Sequence, residues 1–199
     1  MSSNLSEKIW PRGAFRDRNG VVCIGGISAN DLVREFDTPV FVLDEEDFRA
    51  RARQWRSAFE DSFGVDGVTV YYAGKAFISV AVAKWVAEEG LGLDVCTGGE
   101  FAIAASADFA PSRIAYHGNN KSLAEIQNAV ASRVGLIIVD SFYELERIAQ
   151  TALAEEVVQK ILLRVTPGVE AHTHEFIATA HEDVKFADSA RNARCIGGL

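Results

Sequence analysis

Short apolar runs recur at nearly constant spacing along the chain from residue 68 onward. Each run is rich in β-branched or aromatic residues and has the length of a strand. The centres of the runs lie roughly 21 to 25 residues apart, which is the length of one strand–helix unit in a parallel sheet. We therefore predict a series of parallel strands at Val68–Ala73, Leu91–Val95, Arg113–Tyr116, Leu136–Val139 and Ile161–Val165.

Helix starts are marked between the predicted strands. Three pairs of residues have the capping-box spacing, in which a Ser or Thr is followed three positions later by Glu. These pairs are Thr97 with Glu100, Ser122 with Glu125, and Ser141 with Glu144. Each pair comes just after a predicted strand, and apolar residues with helical spacing follow it. A further helix is predicted over Val80–Glu89, with Gly90 ending it as a C′ glycine.

The segment before these repeats has a different pattern. Pro39–Leu43 is predicted as a strand, and Asp44 as the cap of the helix that follows. One face of that helix carries apolar side chains at helical spacing, namely Phe48, Ala52, Trp55 and Phe59. Residues 1–37 show no strand–helix rhythm. They contain only a short strand at Val21–Ile24 and a short helix at Ala29–Phe36, and we predict that they form an arm.

Uninterrupted strand–helix repeats leave two architectures, a doubly wound open sheet and a (β/α)8 barrel. No G-x-G-x-x-G sequence follows the first repeat strand, so the main marker of a dinucleotide-binding sheet is missing. The barrel is therefore favoured, although the predicted repeat strands are too few to close one. The predicted fold is α/β, a partial (β/α)8 TIM-type barrel.

Composition and charge exclude several kinds of partner. Acidic residues outnumber basic ones by 28 to 20, which gives a net charge of -8, whereas a nucleic acid or an anionic membrane would require a basic patch. Cys23, Cys96 and Cys195 are odd in number and far apart, which indicates a reducing compartment. The sequence contains no apolar signal region and no apolar stretch of membrane-spanning length, so a cytoplasmic location is expected.

Polar side chains lie at or just after the carboxyl ends of the predicted repeat strands, which is the end of a barrel where catalytic groups lie. These strand ends carry Lys75, Asp94, Cys96, His117, Asn119, Asp140, Arg164 and Thr166. Taken singly, each also has a structural explanation, such as an ion pair for Asp94 or a core histidine for His117. Lys75 has two explanations: it is either a lysine at the rim of the barrel that extends into water, or a lysine that forms a Schiff base. Partial burial would favour the free amine that a Schiff base requires.

A histidine-rich segment raises the question of a metal site. His172 and His174 are followed by His181, with carboxylates nearby. Their spacing matches no familiar zinc pattern, because a separation of two residues does not suit the i, i+4 face of a helical site. We therefore predict no metal and interpret residues 172–185 as a mobile polar loop.

A series of sequence strings in a fixed order gives the chain a family resemblance. The strings occupy residues 38–44, 72–77, 93–100, 117–122 and 168–186. Two of them are Tyr72-Ala-Gly-Lys-Ala-Phe77 and His117-Gly-Asn-Asn-Lys-Ser122. Over roughly residues 10–186, the chain resembles the diaminopimelate decarboxylases, particularly their actinobacterial form.

This resemblance implies an enzyme of the alanine racemase-like, or fold type III, class that uses pyridoxal 5'-phosphate (PLP). Such enzymes join a (β/α)8 barrel to a β-rich domain, and this family decarboxylates meso-diaminopimelate to lysine as a homodimer. The family's cofactor-binding lysine falls on Lys75. Asp94, Asn119 and Arg164 match positions that line the cofactor side, and residues 172–185 match the family's mobile loop.

The resemblance also divides the chain. Residues 1–37 would be an arm that packs with the β-rich domain, residues 38–186 the N-terminal part of the PLP-binding barrel, and residues 187–199 a divergent tail. The family's phosphate loop, catalytic cysteine and substrate tyrosine would fall beyond residue 186, so we expect a frameshifted gene, a truncated gene or a fragment, inactive alone. The alternatives are a non-catalytic PLP-binding barrel protein, against which the quoted strings argue, and a product without function.

Overall fold

The computed structural model describes residues 3–166 and 188–189. The chain divides into two compact units, Met1–Val68 and Thr69–Leu199. No helix in the described ranges combines the length and the apolar character needed to cross a bilayer.

The first unit begins with an antiparallel sheet whose four strands pair in chain order. The strands are β1 (Ser3–Asn4), β2 (Phe15–Arg16), β3 (Val22–Ile24) and β4 (Ile27–Ser28). Gly25 and Gly26 form the two-residue turn between β3 and β4, and both have positive φ, as the twist of a tight hairpin requires. Helix α1 (Ala29–Phe36) follows, capped by the Ser28 side chain. The short strand and helix predicted for this segment are therefore present.

Helix α2 (Glu45–Phe63) begins where the sequence predicts, because the Asp44 side chain accepts a hydrogen bond from the backbone N–H of Asp47. Of its predicted apolar face, only Ala52 is buried, whereas Trp55 is exposed and stacks on Phe59 with ring centroids 6.2 Å apart. Aromatic side chains four residues apart on a helix contact each other even without a core to cover them.

The predicted strand at Pro39–Leu43 is not formed, and these residues are extended chain without strand pairing. Their pattern is that of a strand, but a strand requires a neighbour for its N–H and C=O groups. Within the described residues none is supplied, and Phe41 is 94% exposed. The apolar pattern alone was therefore insufficient for the prediction at this position.

The second unit is built on a parallel sheet of five strands whose order follows the chain. The strands are β5 (Tyr71–Ala73), β6 (Gly92–Val95), β7 (Ile114–Tyr116), β8 (Leu136–Val139) and β9 (Ile161–Leu163). The helices that connect them are α3 (Val80–Glu88), α4 (Gly98–Ser106), α5 (Leu123–Ala131) and α6 (Phe142–Ala154). After β9, β10 (Val165–Thr166) pairs in parallel with β11 (Asp188–Ser189). The predicted alternation of strands and helices is thus present throughout the repeat region.

The core of this unit lies around the central strands. Every residue of β6 and β7 is buried, and Leu93, Ile114 and Tyr116 are almost completely inaccessible to solvent. Such continuous burial is typical of parallel strands with both faces covered. By contrast, all three residues of the edge strand β9 are exposed. The buried core of the unit therefore includes β6, β7 and most of β8.

Two of the three predicted capping boxes are complete, those at the starts of α4 and α5. The third is only half formed. Ser141 accepts from the backbone N–H of Glu144, but the Glu144 carboxylate accepts instead from the backbone N–H of Asp140 and from the ammonium group of Lys121. The Glu144 side chain therefore binds the buried Lys121 instead of the N-cap backbone of its own helix. At the end of α3, Gly90 has φ +79, as predicted for a C′ glycine.

Candidate active site at the carboxyl ends of the strands

A cleft of about 590 Å³ opens at the carboxyl edge of the parallel sheet. Its lining includes all four side chains that the sequence analysis selected, Lys75, Asp94, Asn119 and Arg164. Asp94 lies near the end of β6 and the other three residues follow β5, β7 and β9, and all four converge because parallel strands end at the same edge of the sheet. Cys96 and His117 line the same cleft. The predicted site residues are thus brought together, while their roles remain predictions.

Lys75 lies in a short 3-10 turn, Gly74–Ala76, directly after β5. A Cβ atom on Gly74 would lie 2.9 Å from the backbone oxygen of Asp94, so glycine allows this turn to approach the end of β6. The approach brings Lys75 to the cleft beside Asp94 and Cys96. The side chain of Lys75 is exposed, and the partial burial suggested by the sequence is not found.

Asp94 and His117 form a hydrogen-bonded pair on the floor of the cleft. Asp94 is buried and lies opposite Ala73 in the register of the sheet. Its Oδ1 forms a hydrogen bond with Nδ1 of His117. The backbone N–H of His117 donates to the carbonyl of Val95 at 2.7 Å, which continues the ladder between β6 and β7. A carboxylate on Nδ1 fixes the ring orientation and its tautomer. His117 is therefore a cleft residue with one nitrogen held, and not simply a core histidine.

Asp140 and Arg164 form a second pair, at the ends of β8 and β9. Nη1 of Arg164 lies 3.5 Å from Oδ2 of Asp140, whose side chain is only 4% exposed. Neither carboxylate oxygen accepts a hydrogen bond from any group in the described part of the chain. Burial raises the pKa of Asp140, and the nearby charge of Arg164 opposes that rise. Asp140 is a strand-end residue in the sequence but is not among the predicted site residues, because its inward orientation cannot be read from the sequence.

Cys96 follows β6 and is half-buried at the cleft. Burial raises the pKa of its thiol, and the charges of Asp94 and Glu100 raise it further. The thiol form therefore predominates at neutral pH, and a thiolate nucleophile is not favoured here.

The hypotheses about the histidine-rich segment lie outside the described residues. They concern His172, His174, His181 and the loop over residues 172–185. Most of the predicted tail, residues 187–199, lies outside them as well. Within the ranges that the structure does describe, no group of three or more His, Cys, Asp or Glu side chains could hold a metal ion.

The family is established by comparison with known proteins. Residues 45–196 match the protein family described as "Pyridoxal-dependent decarboxylase, pyridoxal binding domain", and the chain belongs to this family. PLP is accordingly the cofactor that the family binds. Among curated proteins, the chain is 50% identical over 196 residues to the diaminopimelate decarboxylases of Mycobacterium tuberculosis and Mycobacterium bovis. These alignments cover 98% of this chain but only 43% of each relative, so the chain spans less than half of their length.

Solved structures agree on the fold. The crystal structure of diaminopimelate decarboxylase from M. jannaschii matches with a TM-score of 0.77 and 28% identity, over 90% of this chain and 42% of that one. The Helicobacter pylori enzyme, solved in complex with L-lysine, matches with a TM-score of 0.73 and 27% identity, over 82% of this chain and 41% of that one. The predicted fold class, a partial barrel of fold type III, is confirmed.

Proposed function

We propose that this chain supplies the lysine-bearing part of an active site that decarboxylates meso-diaminopimelate to lysine, with PLP held by Lys75. The observation that carries the proposal is the convergence of Lys75, Asp94, Asn119 and Arg164 on one cleft, in a chain that belongs to a pyridoxal-binding family. The identity of 50% with diaminopimelate decarboxylases supports the choice of substrate.

The described residues fit one side of PLP. The cleft offers an amine for the aldehyde, a guanidinium for an anionic oxygen, and room for a small aromatic ring. A buried carboxylate, Asp140, lies behind the guanidinium of Arg164 without a hydrogen bond of its own in the described residues. A buried carboxylate so placed is a common feature of functional sites. When bound, PLP supplies the electron sink that stabilises the carbanion left after CO2 departs.

The side chains of this chain would divide the remaining work. Lys75 would hold the cofactor through its amine, and Arg164 would orient an anionic group of the cofactor or substrate. Asn119 would offer an amide donor from the loop after β7. With Nδ1 held by Asp94, His117 can accept or donate a proton at Nε2 towards the cleft.

The substrate class, the oligomeric state and the cellular location of the protein are further parts of the proposal. The Helicobacter pylori relative was solved with L-lysine, which supports a small amino acid as the substrate class here. We propose a homodimer for the complete protein on the basis of the family resemblance. A reducing, cytoplasmic location is supported by Cys23 and Cys96, both of which are free thiols.

Reductive labelling of Lys75 tests the cofactor assignment. The chain is incubated with increasing PLP and reduced with borohydride, and labelled lysines are located by peptide mass spectrometry. Saturable label at Lys75 is expected, and Lys75→Ala should remove it. The matched control is Lys84→Ala, an exposed lysine on α3, which should leave the saturable label intact. Label spread evenly over exposed lysines, without saturation at Lys75, would overturn the proposal.

A further inference from the structure

A buried lysine lies directly behind the cleft. Lys121 belongs to the His117–Ser122 string, and only 2% of its side chain is exposed. Its Nζ donates to the backbone oxygen of Gly118 at 2.7 Å, to that of Ile138 at 2.7 Å, and to Oε1 of Glu144 at 2.6 Å. An ammonium group has three donors, and all three are used. Lysine is rarely buried unless its charge is compensated, and here the compensation is complete.

The acceptors of Lys121 belong to separate parts of the unit. Gly118 lies in the loop after β7, Ile138 lies in β8, and Glu144 lies in the first turn of α6. The second carboxylate oxygen of Glu144 accepts from the backbone N–H of Asp140 at 2.9 Å. The pair therefore connects the loop after β7 both to the end of β8 and to the start of α6.

Glu144 reaches this position by giving up a local interaction. In the capping boxes of α4 and α5, the glutamate side chain returns to the backbone N–H of the N-cap residue. In α6, Glu144 leaves the N–H of Ser141 and turns to Lys121 and Asp140. The capping box of α6 is therefore left incomplete, and the buried contact of Glu144 with Lys121 compensates for it. Such exceptions to local sequence rules are expected at functional sites.

The loop after β7 is also constrained on its other side. Gly118 has φ +113, and a Cβ atom on it would lie 2.9 Å from the backbone oxygen of Cys96. The loop is thus pressed against the end of β6, while Lys121 ties it to β8. His117 and Asn119, which flank Gly118, line the cleft. A shift of Gly118 would therefore move both side chains.

We infer that Lys121 and Glu144 are positioning residues, a buried ion pair that sets the place of His117 and Asn119 in the cleft. The inference rests on the proposed function, because the position of these side chains matters for PLP only if the cleft binds it. Neither Lys121 nor Glu144 lines the cleft, so both act through the loop that they hold.

The double variant Lys121→Met/Glu144→Leu separates positioning from stability. Exchanging both partners of a buried ion pair for apolar side chains is often neutral for stability, whereas Lys121→Met alone leaves Glu144 buried without a counter-charge and should unfold at a lower temperature. The double variant leaves no buried charge in place of the pair and should therefore unfold at a higher temperature than Lys121→Met alone, although the backbone groups of Gly118, Ile138 and Asp140 lose their partners. It should nevertheless need on the order of tenfold more PLP for half-maximal labelling of Lys75, the lower end of the 10–100-fold loss typical when residues that orient metal ligands are removed.

Matched controls use charged residues that are exposed. Lys84→Met/Glu146→Leu makes the same two exchanges, with Glu146 on the same helix as Glu144. These changes should alter neither the labelling of Lys75 nor the position of the loop after β7.

Glu144→Gln is a conservative variant of the pair. It retains the size of the side chain and one acceptor oxygen, and should weaken the labelling of Lys75 by less than the double variant does.

Nuclear magnetic resonance of the chain without PLP gives a second readout. The amides of Gly118 and Asn119 and the ring of His117 should shift in the double variant and stay unchanged in the control. If the wild-type chain does not label at Lys75, the proposed function fails, and the resonances still decide whether the pair sets the loop. Unchanged resonances at His117 and Asn119, or wild-type labelling by a folded double variant, would overturn the inference.

Discussion

The carboxyl group of Asp140 is held in an environment that disfavours its charge. It is buried, and neither oxygen accepts a hydrogen bond within the described residues, although Arg164 lies 3.5 Å away. Burial raises the pKa of Asp140 above its ordinary value of 3.8. A group whose folded-state pKa is raised contributes its full stability below the unfolded value, and that contribution is lost as pH rises through the folded value. At neutral pH, above the raised pKa, this contribution of Asp140 to the stability of the fold is therefore absent.

Replacing Asp140 by asparagine should stabilise the chain at neutral pH, because it removes a buried charge that is poorly compensated. We expect Asp140→Asn to increase the free energy of unfolding by on the order of 1 kcal/mol, the lower end of the cost of a buried polar group without a hydrogen bond. The gain should shrink as the pH is lowered towards 3.8, where the native carboxyl group is also neutral. Thermal unfolding across this pH range measures the effect, with exposed Asp61→Asn as control. A variant less stable than wild type at neutral pH would show that attraction to Arg164 outweighs the cost of burial.

Single residues also mark how far the sequence could predict the site. Lys75, Asp94, Asn119 and Arg164 could be selected in advance by combining strand ends with family resemblance. Lys121 could not be selected, because a sequence does not reveal whether a lysine in a polar loop turns inward to three acceptors. The same limit applies to the exposure of Lys75, which depends on how the 3-10 turn after β5 is directed.

At the scale of secondary structure elements, the carboxylate of Glu125 stabilises two helix starts. It completes the capping box of α5 with Ser122, and its Oε1 accepts from the backbone N–H of Gly98, at the start of α4, at 2.7 Å. Hydrogen bonds from the Ser122 backbone hold the pKa of Glu125 below its ordinary value of 4.5, although burial opposes them. Such a group contributes stability that is present above pH 4.5 and is lost as pH falls through the lowered pKa.

Glu125→Gln should destabilise the chain at neutral pH by about 1 kcal/mol, the usual cost of losing a helix cap, because a neutral amide accepts less strongly from two helix N-termini. The difference from wild type should narrow below pH 4.5, as the native carboxyl group becomes protonated. Urea unfolding at neutral pH and at a pH below 4.5 measures the free energy of unfolding of both proteins. Glu146→Gln, which alters an exposed carboxylate on α6, is the matched control. Equal differences at both pH values would contradict the assigned role of the charge.

Periodicity predicts elements well where each element has its partners nearby in the sequence. The strands from β5 to β9 form close to their predicted positions, because each is followed by a helix and paired with the next strand. Pro39–Leu43 has an equally good pattern but forms no strand, since pairing depends on a neighbour and not on the pattern. Ser141 and Glu144 show the same limit at a helix start, where Lys121 redirects the expected side chain.

At the scale of the whole molecule, the parallel sheet of the second unit has β5 and β9 at its edges. A (β/α)8 barrel removes such edges by closure, which takes eight strands. The exposed apolar side chains of β9 include Leu162, which is 56% exposed. Unpaired backbone groups beside exposed apolar side chains favour association with other chains. Among the residues that the structure describes, no strand pairs with the outer side of β9, so this edge favours association with other chains.

The 199-residue chain by itself should not decarboxylate meso-diaminopimelate at a useful rate, even if Lys75 reacts with PLP. It spans 43% of the length of its diaminopimelate decarboxylase relatives, so an active site built from the full length of such a protein would be incomplete. Loss of a positioned proton donor alone typically lowers the rate by roughly 10²–10⁴-fold. CO2 release with added PLP, compared with Lys75→Ala, is the measurement. Clear turnover that disappears in the variant would contradict this expectation.

The strand order of the sheet has a consequence for how the chain is synthesised. Because each strand from β6 to β9 pairs with the strand made just before it, every new strand–helix unit can dock as soon as it leaves the ribosome. Partners of low sequence separation find one another quickly, and domains commonly fold from the N-terminal side during translation. In the second unit, β5, which precedes Lys75, and β6, which contains Asp94, would be paired before Arg164 is translated, so the Lys75 side of the cleft would form first.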